Sequence, residues 1–249
     1  MTSLSPLSAL ARAGAALADG SDAASALAVL VRACAQALDA QAVGVVVAVD
    51  LERPDPASLE LLAASSHTAA VLELYQVQVG EGPCVDAVTH GAEVAVEGDA
   101  LQERWPLLGP LTAAAGLHAV HAVPLRWEGV VFGALNLFVR DQDALAHRRT
   151  EIRVFADLAT VAVVHAQSRP DRGGLARAVV ATLERSAVIE QAKGVVMQVR
   201  DADAGAAFDV LAGEAARRDV PVTVLADELL AEVARGAHVA WLAAPAREA

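Results

Sequence analysis

Five valines crowd into the seven residues Val43–Val49. β-Branched side chains lose rotamer freedom in a helix but pack well on a pleated surface. Pro54 and Pro56 follow the run, so it reads as a buried strand. It is far shorter than the ~18 residues that suggest a membrane span. A buried strand needs partners, and the next ninety residues supply them. Leu59–Ala64 reads as a second strand, and Glu93–Glu97 alternates like a third. Residues 118–125 and 130–139 flank Glu128-Gly129, a good hairpin turn. Residues 68–76 read as a helix and Gly80–Pro83 as a turn. Strands joined by hairpins as well as helices define an α+β fold with a largely antiparallel sheet.

Both flanks are helical. Leu27, Leu30, Val31, Cys34 and Leu38 fall on one helical stripe, and Ser21 or Asp22 suits its N-cap. Residues 143–235 read as wholly helical, broken best at Arg169–Gly174. Leu145, Ile152, Ala159 and Ala166 repeat every seven residues, with Phe155 and Ala162 between them. That stripe predicts a helix that pairs with its copy in a second chain, or else packs on its own sheet. Helices are expected near 175–199, 203–217 and 224–235. The resulting organisation is a helical segment at 1–40, a sheet domain at 41–142 and a connecting helix at 143–170. An all-α three-helix domain at 171–236 and a tail at 237–249 complete it.

Composition narrows the function. The chain is 249 residues long and 55% hydrophobic, with 58 alanines. Leaving alanine aside, close to a third of the chain is still apolar, enough for a core. The formal charge is −12, and Lys193 is the only lysine. Such a chain repels nucleic acid at long range. Two cysteines make no disulfide framework, and no basic start precedes an apolar N-terminal stretch, so a cytoplasmic home is expected. No phosphate-cradling loop or nucleophile elbow is present. His118 and His121 stand three apart on a strand, which puts them on opposite faces and argues against a shared metal. The expectation is a protein that is not an enzyme, with no cofactor, no metal site and no catalytic residue.

The segment Arg185-Ser186-Ala187-Val188-Ile189-Glu190-Gln191-Ala192-Lys193-Gly194-Val195-Val196-Met197 carries the most information. It resembles the first helix of the ANTAR domain, with its pattern R-x-x-x-I-x-Q-A-K-G-x-x-M. Ala207-Phe208-x-x-Leu211 and Leu225–Leu230 look like the second and third helices. The resemblance implies a three-helix module that binds hairpins in nascent transcripts and prevents termination. It implies RNA contacts at Arg185, Gln191, Lys193, Arg217 and Arg218. Read without the family, Lys193 reaches a phosphate or lies solvated along its helix, and Arg185 has a structural role as readily as an RNA one. Arg217 and Arg218 equally suit a helix C-terminus. Gly194 in mid-helix costs about 1 kcal/mol against alanine, which predicts close approach of another backbone, a crossing helix before RNA. The sequence departs from the family at Ala215, Asp219 and Pro221, where a serine, an asparagine and basic residues are common. Residues 171–235 hold 8 basic and 11 acidic residues. That balance sustains an alternative, a sensor and protein-interaction module without RNA binding.

Residues 42–140 resemble a GAF domain. The shared pieces are Gly80-Glu81-Gly82-Pro83-Cys84-x-Asp86-Ala87, Arg104-Trp105-Pro106, Gly116-Leu117, Pro124-Leu125 and Gly133–Leu137. The resemblance implies a dimeric sensor of a small molecule or a redox signal, with Cys84, Glu81, Arg104 and Trp105 as candidates for its pocket. Cys84 near a helix start is either a thiol made reactive by the helix terminus or a small buried hydrophobe. Cys34, on its apolar stripe, is packing. The whole chain then reads as a signal-responsive transcription regulator. It acts as a homodimer, away from membranes, with RNA as its partner.

Overall fold

The computed structural model describes residues 22–51, 56–140, 147–164, 172–237 and 239–242, together with residues 8, 11, 14 and 15. Helix α1, Ala23–Leu38, starts at Asp22, whose carboxylate accepts the N–H groups of Ala24 and Ser25. Strand β1, Ala42–Ala48, follows and is buried along its whole length. Then come β2 (Leu59–Ala64), α2 (His67–Val79), α3 (Pro83–His90) and β3 (Val94–Glu97). Two short helices, α4 (Ala100–Arg104) and α5 (Gly109–Ala114), lead to β4 (Ala119–Trp127) and β5 (Val130–Val139). The helices α6 (Arg149–Val164), α7 (Arg172–Arg200), α8 (Ala204–Arg218) and α9 (Val222–Ala234) complete the order.

The five strands run in the order β2-β1-β5-β4-β3, every pair antiparallel. The valine run lies second from one edge, between β2 and β5. Burial on both faces explains its continuous apolar character, and two cores form because the sheet has two covered sides. On one side Val43, Val45 and Val47 meet α1 and α6, with Leu27, Leu30, Cys34, Ile152 and Phe155 at the centre. On the other, Val46, Ala134 and Phe138 meet α2 and α3, with Leu72, Cys84 and Trp105. A third core joins Ile189, Ala192 and Val196 of α7 to Phe208, Leu211, Leu225 and Leu229 of α8 and α9.

The stripe expected to meet a second chain is used within this one. Ile152, Phe155, Ala159 and Ala162 of α6 are all buried against the sheet and α1. Packing on the chain's own sheet is therefore the outcome, because α6 and α1 together cover that sheet face. Leu145 and Ala166 lie outside the described residues. Helix α7 changes partners along its length. Leu175, Ala178 and Val179 join the first core, and Ile189, Ala192 and Val196 the third. The first half of α7 thus packs on the sheet domain. Within this chain nothing closes on Gly194: a Cβ there would meet nothing within 4 Å. Among the described residues no helix is long and apolar enough to cross a membrane.

Phe155 is fully buried at the junction of α6 and the sheet. Truncation to alanine leaves a cavity, so Phe155→Ala is expected to lower unfolding stability by about 3–5 kcal/mol. Urea unfolding followed by circular dichroism reads this directly.

Candidate functional site

Two regions hold the predicted functional residues, one in the sheet domain and one on the last three helices. The sheet domain carries a polar cluster where an apolar core would be expected. Glu73 on α2 points into the core and is fully buried. Its Oε2 accepts hydrogen bonds from Asn136 Nδ2 on β5 at 2.8 Å and from Gln76 Nε2 at 3.0 Å. Gln76 Oε1 in turn accepts from the backbone N–H of Cys84 at 3.1 Å. The Cys84 thiol lies beside the Glu73 carboxyl. Room for the carboxyl exists because position 44 of β1 is glycine: a Cβ there would lie 2.4 Å from Glu73 Oε1.

Burial decides the protonation states. It pushes the Glu73 carboxyl up to about 8, against the hydrogen bonds that favour its anion. Burial also pushes the Cys84 thiol well up, and Glu73 adds to this. Cys84 does sit in the first turn of α3, but desolvation outweighs the helix terminus. The thiol is held protonated, the condition of a buried packing residue rather than a reactive one. Cys34 is likewise buried, and its thiol is pushed up by desolvation.

The other sheet-domain candidates brace loops. Glu81 accepts the N–H groups of Leu107 and Leu108, holding the entry to α5. Arg104 pairs with Asp86 at 2.8 Å and stacks over Trp105, 5.0 Å from the ring centroid. Trp105 is buried and donates its indole N–H to the same Asp86 carboxylate at 3.3 Å. Arg104 also borders an open crevice with Ala95, Glu97 and Glu103. His118 is exposed just before β4, and His121 is buried within it. Burial lowers His121 to about 4, Arg149 adds to this, and its Nε2 has no hydrogen-bond partner. Among the described residues no cluster of three or more His, Cys, Asp or Glu is placed to hold a metal.

The helical candidates scatter. Arg185 and Gln191 are exposed on α7. Lys193, two residues on, is only 4% exposed and bonds both oxygens of Glu190 at 2.8 Å. Arg217 and Arg218 close α8 and both pair with Glu214, which they pull down to about 2. Arg218 also reaches Glu228 at 3.3 Å and stacks on Trp241. Of the five predicted RNA contacts, three are thus matched to carboxylates.

Sequence reasoning missed Glu73, Gln76 and Asn136. A signal existed: Glu73 lies on the same α2 face as Ala69, Leu72 and Gln76, all buried, and a glycine interrupts the valine run opposite it. A charge on an apolar stripe and a gap in a strand are complementary oddities.

The profile of the GAF domain matches residues 20–164, and that of the ANTAR domain matches residues 177–230. The chain belongs to the GAF domain family and carries an ANTAR domain at its C-terminal end, which makes it a signal-sensing regulator of the ANTAR family. No curated protein matches the chain. Among solved structures it is similar to the GAF domain of an Acinetobacter phosphoenolpyruvate-protein phosphotransferase, at 15% identity and a TM-score of 0.46. That match covers 65% of this chain and 94% of the other. It is also similar to an N-acylhomoserine lactone dependent LuxR-family transcription factor from Burkholderia cenocepacia, at 18% identity and a TM-score of 0.49. The coverage there is 66% of this chain and 98% of the other.

The Glu73 proton has a measurable consequence. Native Glu73 keeps its proton up to about pH 8, whereas in the unfolded chain it leaves near 4.5. Between these values the folded state binds more protons, so this group makes stability fall as pH rises. His121 acts oppositely between about 4 and 6.5. Comparison with Glu73→Gln, which keeps the acceptor oxygen and cannot ionise, isolates the carboxyl. The variant is expected to gain stability relative to the natural chain as pH rises from 5 to 8, by several kcal/mol in total. Urea unfolding at stepped pH measures the difference.

Proposed function

We propose that this regulator binds hairpin RNA through its ANTAR helices and prevents termination of nascent transcripts under control of the GAF domain. The observation that carries the reading is the ANTAR match over residues 177–230. The exposed positions Arg185 and Gln191 support it, since side chains free to leave solvent are needed to reach phosphate and base edges. Lys193 is the third contact on α7, with Arg217 and Arg218 reaching phosphates from the end of α8.

The acting form is a homodimer. Val180, Ala187 and Gly194 stand exposed on α7 at intervals of seven, a narrow seam at which two such helices meet closely. The GAF domain receives a small molecule or redox signal, with Cys84, Glu81, Arg104 and Trp105 shaping the region that takes it. The protein works in the cytoplasm without catalysis and without a cofactor. Coupling requires that the signal bind one arrangement better than another.

A second reading has a specific observation behind it. Lys193, Arg217 and Arg218 all pair with carboxylates, and the charge of the helices is net negative. Such a surface suits a protein partner better than a phosphate backbone.

Salt separates the two. RNA binding measured by mobility shift with a paired-hairpin transcript is expected to weaken steeply between 50 and 200 mM salt, values of order those that resolve counterion release. The double variant Arg185→Ala, Lys193→Ala is expected to weaken binding and to flatten the slope by about one unit for each phosphate no longer bound. Salt-insensitive binding, or no shift at any salt, favours the protein-partner reading.

A further inference from the structure

The sheet domain does more than sit beside the effector helices; it covers the one lysine. Lys193 lines a crevice whose opposite wall is Ala24, Ala28 and Arg32 of α1 and Leu62–Ser65 of β2 and its end. The crevice has a volume of about 10 Å³, room for about a single water. No phosphate enters it while the walls are in place.

Polar contacts of two kinds hold those walls together. Pro221 stands at the N-cap of α9 and offers no side-chain cap, so the first N–H groups of that helix need acceptors from elsewhere. The N–H of Thr223 finds one in Ser25 Oγ of α1, at 3.0 Å. The Thr223 hydroxyl donates to Asp22, the residue that caps α1 itself. Ser25 and Thr223 are both buried, so an unmade bond there carries a desolvation cost. One carboxylate thus serves the starts of two helices from different domains. The second contact lies one turn or more along α1. Arg32 grips Asp209 of α8 with two hydrogen bonds, at 3.2 and 2.7 Å. Gly205 leaves it room: a Cβ there would lie 2.6 Å from Arg32 Nη1.

We infer that Asp22, Ser25 and Thr223 with the Arg32–Asp209 pair form an interdomain clasp that keeps Lys193 covered, and that release of this clasp is the step that uncovers it. The inference rests on the proposed RNA reading only for its consequence; the covering of Lys193 is a separate matter. Apolar packing across the boundary is thin on the α1 side, being Ala24 with Ala28 and Val29. Small side chains bury little area; Leu175, Ala178 and Val179 anchor α7 elsewhere on the sheet domain, so beside Lys193 the polar contacts are what hold α1 against α8 and α9. Opening would leave the start of α9 without its acceptor, which ties release of the lysine to a looser third helix.

Because Lys193 is the only lysine, its reactivity can be followed without RNA. The full-length protein is treated with an amine-acetylating reagent, and acetylation of Lys193 is timed by mass spectrometry. The natural chain is expected to react far more slowly at Lys193 than the same chain in urea. Arg32→Asp and Asp209→Arg each place like charges opposite one another and are expected to speed the reaction roughly fivefold. The double exchange, which restores opposite charges, returns it toward the slow rate. Thr223→Val, tested in parallel, speeds it through the other contact. Circular dichroism confirms that each variant is folded. Fast acetylation in the natural chain, or folded variants that react no faster than it, overturns the clasp. Hairpin binding by the same variants is read separately. Faster acetylation with tighter RNA binding supports both ideas. Faster acetylation with unchanged RNA binding keeps the clasp and removes Lys193 from the RNA contacts.

Discussion

Everything in this architecture hangs on one helix that presents different apolar faces to different cores. An α-helix turns 100° per residue, so a seam that shifts along its length faces two directions. Leu175, Ala178 and Val179 face the sheet domain, and Ile189, Ala192 and Val196 face α8 and α9. The 29 residues of α7 are therefore a beam shared by the sheet domain and the last helices. The interdomain polar contacts of α1 then set where the beam comes to rest.

The sheet domain places its own constraint. A neutral carboxylic acid at the centre of a sensor is an unusual choice, since an aliphatic residue would fill the space without polar demands. Glu73 with Asn136 and Gln76 ties α2, β5 and the start of α3 into one hydrogen-bonded unit. The bonds made tie these elements together, while Glu73 Oε1 and Asn136 Oδ1 are buried without hydrogen-bond partners and carry a desolvation cost. The loop braces at Glu81 and at Arg104, Trp105 and Asp86 do similar work nearer the surface.

Much of this was legible in the residues themselves, and the failures have physical reasons. Strands were readable because valine-rich runs and a Glu-Gly turn act locally; β5 begins and ends as the pattern indicates. The three last helices were readable from spacing and motif together. The heptad stripe of α6 misled, because a helix on a sheet and a helix on its copy need the same apolar seam. At Gly194 a missing side chain permits close approach, and no element of this chain takes it up. The burial of Lys193 was illegible, since its cover comes from residues more than 120 positions earlier. Glu73 was overlooked because an acidic residue in a helix is ordinarily solvated.

The pocket left by Gly44 also bears on how the chain can vary. Its backbone hydrogens and the Glu73 carboxyl occupy complementary volumes, and a methyl group at position 44 would sit inside that carboxyl. Neither site can drift on its own: enlarging one demands shrinking the other. Across descendants of this sequence the two should change hands as a pair, so the core preserves its filled volume while its chemistry remains open to revision.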